Sequence, residues 1–207
     1  MKLTQIAFIL TLIPLQSFAA TEKCKYSMAP DSVKVEWTAF KTTEKTPVHG
    51  NLKEVKIESP SKAVKSLKDL LSKTKASGQI DSEKKSDSGN PARDLTLLQK
   101  FFSLIASNAK FGGTLNHFKG NDQAGDINLN LSLNGKKKDV AMKYTLAETG
   151  AFEAVGEFDM IDFGMTPALE SIHQACETLH KGKDGVSKTW PNVGIKISAN
   201  IKKECSK

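Results

Sequence analysis

Cys176 and His180 stand four residues apart, a spacing that on a helix brings a thiol and an imidazole to one side of a turn, the pairing from which a cysteine nucleophile is built. Their neighbours favour another use. Leu169, Ile172, Ala175 and Leu179 recur around them at helical spacing, and a cysteine among such positions behaves as a small buried hydrophobe. The chain's four histidines, His49, His117, His173 and His180, show neither HxH nor HExxH spacing, so no metal site is expected and each is read as structural or superficial. No GxSxG, GxGxxG or GxxxxGKS occurs, which removes the sequence anchors of the commonest hydrolases, dinucleotide enzymes and phosphate loops. No catalytic residue and no cofactor is expected. Asp159 and Asp162 fit turn chemistry. Arg93-Asp94 fits the first turn of a helix, where Asp94 complements the dipole and Arg93 pairs with an acid, better than it fits ligand contact.

Three cysteines, Cys24, Cys176 and Cys205, allow one disulfide and leave one thiol over, and no CxxC spacing is present. Cys24 and Cys205 lie near the two ends of the chain, and terminal strands of closed sheets commonly lie side by side. They are the expected bridge, with Cys176 a buried thiol.

Oxidising conditions are also expected from the start of the chain. Lys2, the apolar run Ile6 to Leu15 and the small residues of Ser17-Phe18-Ala19 read as a secretory signal cut after Ala19, leaving 20–207 as one domain in the periplasm or outside the cell. The run is shorter than the roughly 20 residues of a membrane-spanning helix, and no second one follows. Thr21-Glu22-Lys23 before Cys24 is unlike the small aliphatic approach to a lipidated cysteine. The formal charge of +7 is spread over scattered lysines, with Lys136-Lys137-Lys138 the longest contiguous run, and arginine is nearly absent. Nucleic acid, which calls for a clustered basic patch, is not an expected partner.

The elements that must position these groups are mostly strands. Val33, Val35 and Trp37 alternate with polar residues, a turn is read at Pro47-Val48-His49-Gly50, and a second strand carries Leu52, Val55 and Ile57. Ser59-Pro60 reads as the cap of a helix with Val64, Leu67, Leu70 and Leu71 on one side. A strand from Gly78 to Ser82 and a polar loop to Asn90 follow. Asn90-Pro91 then opens a helix carrying Leu95, Leu98, Phe101, Phe102 and Ile105. Gly112-Gly113 marks a bend. Ile127, Leu129, Leu131 and Leu133 alternate up to Asn134-Gly135, and Val140, Met142 and Tyr144 return, the strongest hairpin in the chain. Ala151 to Asp159 is a further strand, Pro167 to Leu179 a helix, and Val193 to Ile201 a long closing strand. So many hairpin-linked strands favour a barrel or sandwich, because closure removes exposed edges.

At this point the residues carry a family resemblance. Val35-Glu36-Trp37-Thr38-Ala39-Phe40 onward to Val48, Gly50-Asn51-Leu52-Lys53-Glu54-Val55, and Ser88-Gly89-Asn90-Pro91-Ala92-Arg93-Asp94 with Phe101-Phe102 resemble the YceI-like family. So do Gly125-Asp126-Ile127-Asn128-Leu129 with Leu133-Asn134-Gly135, Asp159 to Gly164, and Cys176-Glu177-Thr178-Leu179-His180 before Trp190. The resemblance implies a lipocalin-like antiparallel β-barrel of about eight strands, with two or three short helices outside, exported to the bacterial periplasm. It implies a pocket for a polyisoprenoid or other amphiphilic lipid.

Alternate residues of barrel strands point inward, so Trp37, Phe40, Phe101, Phe102, Leu115, Leu129, Leu131, Phe152, Phe158, Phe163 and Ile197 either line such a pocket or fill it; the cavity itself follows from the resemblance. The expected function is carriage, storage or sequestration of an apolar amphiphile. The competing expectation is a protein-interaction module that uses the barrel as a scaffold for surface loops.

Overall fold

The computed structural model describes residues 23–206; the expected signal segment, 1–19, lies outside them. In chain order the elements are β1 (Lys23–Met28), β2 (Lys34–Lys41), β3 (Thr46–Leu52), β4 (Lys56–Glu58), α1 (Leu67–Ser72), β5 (Lys75–Gln79), β6 (Ser86–Asp87) and α2 (Pro91–Lys100). Then come α3 (Ala106–Ala109), β7 (Lys110–Gly120), β8 (Ala124–Leu133), β9 (Lys136–Leu146), β10 (Ala151–Asp159), α4 (Thr166–Ala175) and β11 (Thr189–Ser206). Every strand pairing is antiparallel, and the sheet runs β4-β5-β7-β8-β9-β10-β11-β2-β3-β6, with β1 joined separately to the far half of β11. The architecture is the expected mostly-β one, a sheet curled into a barrel-like shell. The three-residue β4 and two-residue β6 extend the two ends of eight longer strands.

Local chemistry places the turns. Asn134 and Gly135 both take positive φ (51° and 72°), which the β8–β9 hairpin requires and which asparagine and glycine adopt at low cost. The β2–β3 connection is instead Thr42 to Lys45, whose end residues carry φ of 60° and 56°. Pro47 to Gly50, expected as the turn, lies inside β3, Phe40 pairing with Pro47 and Trp37 with Gly50. The helix expected after Ser59-Pro60 begins only at Leu67, because Ser66 supplies the cap through a hydrogen bond from the Asp69 amide (3.0 Å) while Val64 forms a β-bridge with Tyr26. Gly112 and Gly113 continue β7 without a bend, and the strand read at Gly78 to Ser82 starts three residues earlier. Asn90 caps α2 as expected, accepting from the Arg93 amide at 3.1 Å.

One end of the shell is packed shut. β1 and the last residues of β11 fold across it, Ile201 hydrogen-bonds with Gly150 in the β9–β10 turn, and Tyr26 reaches Asp122 in the β7–β8 turn with its hydroxyl. Cys24 and Cys205, directly opposed in the β1–β11 register, are joined by the expected disulfide; Cys176 is the unbridged cysteine, half-buried and not fully buried as expected, because α4 ends just before it. Tyr26, Leu67, Leu70, Ile127 and Phe152 are fully buried in the core, with Phe152 stacked on Tyr144 at 6.2 Å and Phe118 edge-on to Tyr144 at 6.0 Å. Each such side chain contributes about 1.5–3 kcal/mol of burial. Among the described residues no helix is long and apolar enough to cross a membrane.

Candidate functional site

At the opposite end the shell is not filled. A cavity of about 530 Å³ lies between the inner face of the sheet and the covering helices α2 and α4, within the ordinary range for ligand sites. Its wall is apolar: Val35, Trp37 and Ala39 from β2, Val48 and Leu52 from β3, Leu129, Leu131 and Leu133 from β8, and Val193, Ile195 and Ile197 from β11. Phe101, Phe102 and Ile105 close it from the segment after α2, Met165 from just before α4 and Ile172 from α4 itself. β9 contributes nothing, its inward Val140, Met142 and Tyr144 being used in the core.

Of the residues singled out from sequence, Trp37, Phe40, Phe101, Phe102, Leu129, Leu131, Phe158 and Ile197 stand on the cavity wall. Leu115, Phe152 and Phe163 do not; they are 8 %, 1 % and 1 % exposed and packed into the core. Phe152, paired with Leu146 and Ala199, sits deeper along the barrel axis, toward the shut end, whereas Leu115 lies directly opposite the wall residue Leu129 and packs into the core beside it. Phe163 is turned onto Phe158, edge-on at 5.3 Å, beneath a loop that Asn134 fastens through its amide to the Phe163 carbonyl (2.8 Å).

Residues not singled out also reach the wall, Trp190 most notably. Its indole donates to the Thr42 carbonyl at 2.7 Å, and Lys45 and Lys188 lie 4.6 and 5.0 Å from its ring. A register irregularity between Thr189 and Val193 breaks the alternation of β11 there, so adjacent Thr189 and Trp190 both meet the cavity.

The inner face makes room for large side chains with glycine. Trp37 lies across Gly50 of β3, where an added Cβ would overlap the indole, and its Nε1 donates to the buried Ser86 hydroxyl at 3.1 Å. Phe111 lies across Gly78 in the same manner.

Polar groups gather at one corner of the wall: Lys41, Arg93, Cys176, His180 and Thr189. The Thr189 hydroxyl is shared by two imidazoles, 2.7 Å from His180 Nδ1 and 3.0 Å from His173 Nδ1. Burial, reinforced by the Lys41 ammonium and the His173 ring beside it, pushes His180 down to about 4, so the ring is neutral at neutral pH. Burial pushes the Cys176 thiol up, with Lys41 and Arg93 opposing it only in part. Neither member of this pair is in the charged form that a thiolate–imidazolium nucleophile uses. Asp94 behaves as a docking residue, accepting from the Ser88 amide at 3.0 Å while buried, whereas Arg93 beside it faces the cavity. Among the described residues no three of His, Cys, Asp and Glu converge as a metal-binding group.

A family model described as a YceI-like domain matches residues 26–200. No curated protein sequence matches the chain. Among solved structures, a polyisoprenoid binding domain from Saccharophagus degradans, implicated in plant cell wall breakdown, superimposes with a TM-score of 0.56 at 10 % identity, over 87 % of this chain and 98 % of that one. BcnA of Burkholderia cenocepacia superimposes with a TM-score of 0.52 at 15 % identity, over 85 % of this chain and 99 % of that one. At these identities the likeness is one of fold.

Proposed function

The chain belongs to the YceI-like family, and we propose that it holds a long apolar amphiphile, a polyisoprenoid, quinone or fatty-acid-like molecule, in the cavity of its barrel, without covalent chemistry. The carrying observation is the cavity itself, about 530 Å³ enclosed by aromatic and aliphatic side chains from several strands and two helices. An empty apolar space of that size forfeits packing contacts on every side, and a hydrocarbon chain restores them, at about 0.8 kcal/mol per buried methylene. The similar Saccharophagus degradans domain is described as polyisoprenoid binding, which supports the same ligand class here. Trp37, Phe40, Phe101, Phe102, Leu129, Leu131, Phe158 and Ile197 are the proposed ligand contacts.

The setting is an exported one in this reading: residues 1–19 serve as the cleaved signal and 20–207 work in the periplasm or beyond. The disulfide supports it, because such bonds persist where the surroundings oxidise thiols. The role is carriage, storage or sequestration. Titration of delipidated protein with a long isoprenoid alcohol, followed by calorimetry, tests the binding: one saturable site with a negative heat-capacity change is the expected result. No saturable uptake of isoprenoid, quinone or fatty acid would remove the proposal.

A further inference from the structure

The cavity opens where its wall residues reach solvent. Ala92 in the first turn of α2, Ala175 at the end of α4 and Leu179 in the single turn that follows (Glu177–His180) line the cavity and are exposed, Leu179 by 70 %. The exposed apolar surface gathers at this end. Among the described residues six large hydrophobic side chains stand exposed, and five of them, Leu95, Leu104, Ile161, Leu179 and Val186, belong to the helices and turns around the opening; the sixth, Val155, lies on β10. These segments are fastened to one another and to the strand ends. α2 packs on α4, Lys41 donates to the Leu179 carbonyl, Thr43 donates to Asp184, and Asn134 joins the Phe163 carbonyl to the Ala106 amide. Aliphatic side chains gathered on one end of a protein mark a surface that meets an apolar partner.

The same end is rich in cations. Lys100, Lys136, Lys137, Lys181 and Lys183 are exposed, and among the described residues none lies within ion-pair distance of a carboxylate; Lys45 and Lys188 stand over the Trp190 ring at the edge. The exposed acids of these segments are fewer, Glu44, Asp162, Asp184, Glu170 and Glu177, and Asp162 faces Lys138 at 3.9 Å. Dispersed lysines offer no fixed fork for one particular acidic partner, whereas a fluid layer of anionic head groups meets them wherever they stand. Aliphatic side chains among such lysines match a bilayer that is negative at its surface and apolar beneath.

We propose that the open end of the shell docks on the surface of an anionic lipid bilayer. The five aliphatic side chains dip among the head groups and the lysines meet their charges, so that a long-chain amphiphile passes between bilayer and cavity without crossing water. The inference rests on the reading of the cavity as a lipid-chain site, whose cargo dissolves poorly in water, and adds the surface at which that cargo is exchanged. The end closed by β1 and the disulfide points away from the membrane in this arrangement.

The test is flotation of the protein with vesicles of phosphatidylcholine and with vesicles of an equal mixture of phosphatidylcholine and phosphatidylglycerol, with uptake of farnesol from free solution measured separately. Binding to the mixed vesicles is expected to be about tenfold or more tighter at low salt, an advantage that salt diminishes. The variant Lys100→Glu, Lys136→Glu, Lys183→Glu is expected to lose the preference for mixed vesicles, and Leu104→Ser, Ile161→Ser to weaken flotation severalfold. Both should take up farnesol as before, since none of these residues lines the cavity. If a variant does not fold, the dependence on salt and vesicle composition of the unaltered protein decides the matter. Flotation with neither vesicle, or equally with both at every salt concentration, would overturn the docking, and farnesol uptake that persists would leave the cavity reading standing. Docking without uptake would support the surface and remove the reading of the cavity. A dimer that Leu104→Ser, Ile161→Ser dissociates, in protein that floats with neither vesicle, would give the face to a second copy of the chain and overturn the membrane.

Discussion

The indole of Trp37 lies flat across Gly50 on the neighbouring strand, in register with it, and is held there by a 3.1 Å hydrogen bond from Nε1 to Ser86. The contact sets the floor of the cavity. A Cβ at position 50 has no space beneath the ring, so the indole must leave its place and push into the cavity.

Gly50→Ala is therefore expected to destabilise the fold by about 1–3 kcal/mol, the usual range for overpacking, and to weaken ligand uptake more than a surface substitution of equal stability cost. Chemical denaturation alongside ligand titration checks both parts; an unchanged midpoint would contradict the placement of Trp37.

Trp37 should also report ligand directly. In a Trp190→Phe background, needed because Trp190 lines the same cavity, a long isoprenoid or fatty acid is expected to shift Trp37 emission as water and mobile contacts are replaced by hydrocarbon. Unaltered emission with binding shown by another method would place the chain elsewhere.

Reduction of the Cys24–Cys205 disulfide should cost about 2–5 kcal/mol, since the bond spans 181 residues and limits the unfolded chain strongly. The cost is expected to appear with the double variant Cys24→Ser, Cys205→Ser as a lowered denaturation midpoint. Peptide mapping without reductant should return the joined terminal peptides and Cys176 as a free thiol. A bridge to Cys176 would contradict the β1–β11 register.

His180 ties stability to pH. Its pKa is about 4 in the folded protein against 6.5 ordinarily, so above pH 6.5 both states hold the ring neutral and the full stability is present. As pH falls from 6.5 toward 4 the unfolded chain takes up the proton first, and stability is lost. The loss assigned to His180 is about 1–2 kcal/mol, less than the whole shift implies because water screens a partly exposed ring. Denaturation midpoints of the protein and of His180→Gln should converge as pH is lowered over that window; parallel profiles would contradict the burial of the ring.

Much of this arrangement was legible in the residues because it is local. Asn134-Gly135 between two alternating runs marks its own turn, Asn90-Pro91 marks its own helix start, and Ala151 to Asp159 alternates across the full strand that forms. Pro47 and Gly50 misled for the same reason. Proline and glycine punctuate turns on average, but here Gly50 answers Trp37 across a strand pair that no local pattern reveals. The cavity was legible only in part, since alternation tells which face a residue takes and not how far along the barrel it lies. Phe152 faces inward as expected, yet it sits toward the shut end. Trp190 escaped notice because the irregularity in β11 puts it out of phase with Val193, Ile195 and Ile197.

The most direct test of the central claim is mass spectrometry of what the protein carries. Protein purified gently from the cells that make it, measured intact and then after organic extraction, is expected to release about one equivalent of a long-chain amphiphile. Protein that carries nothing through such a purification, and whose intact mass shows no adduct on incubation with a lipid extract of the same cells, would contradict the account.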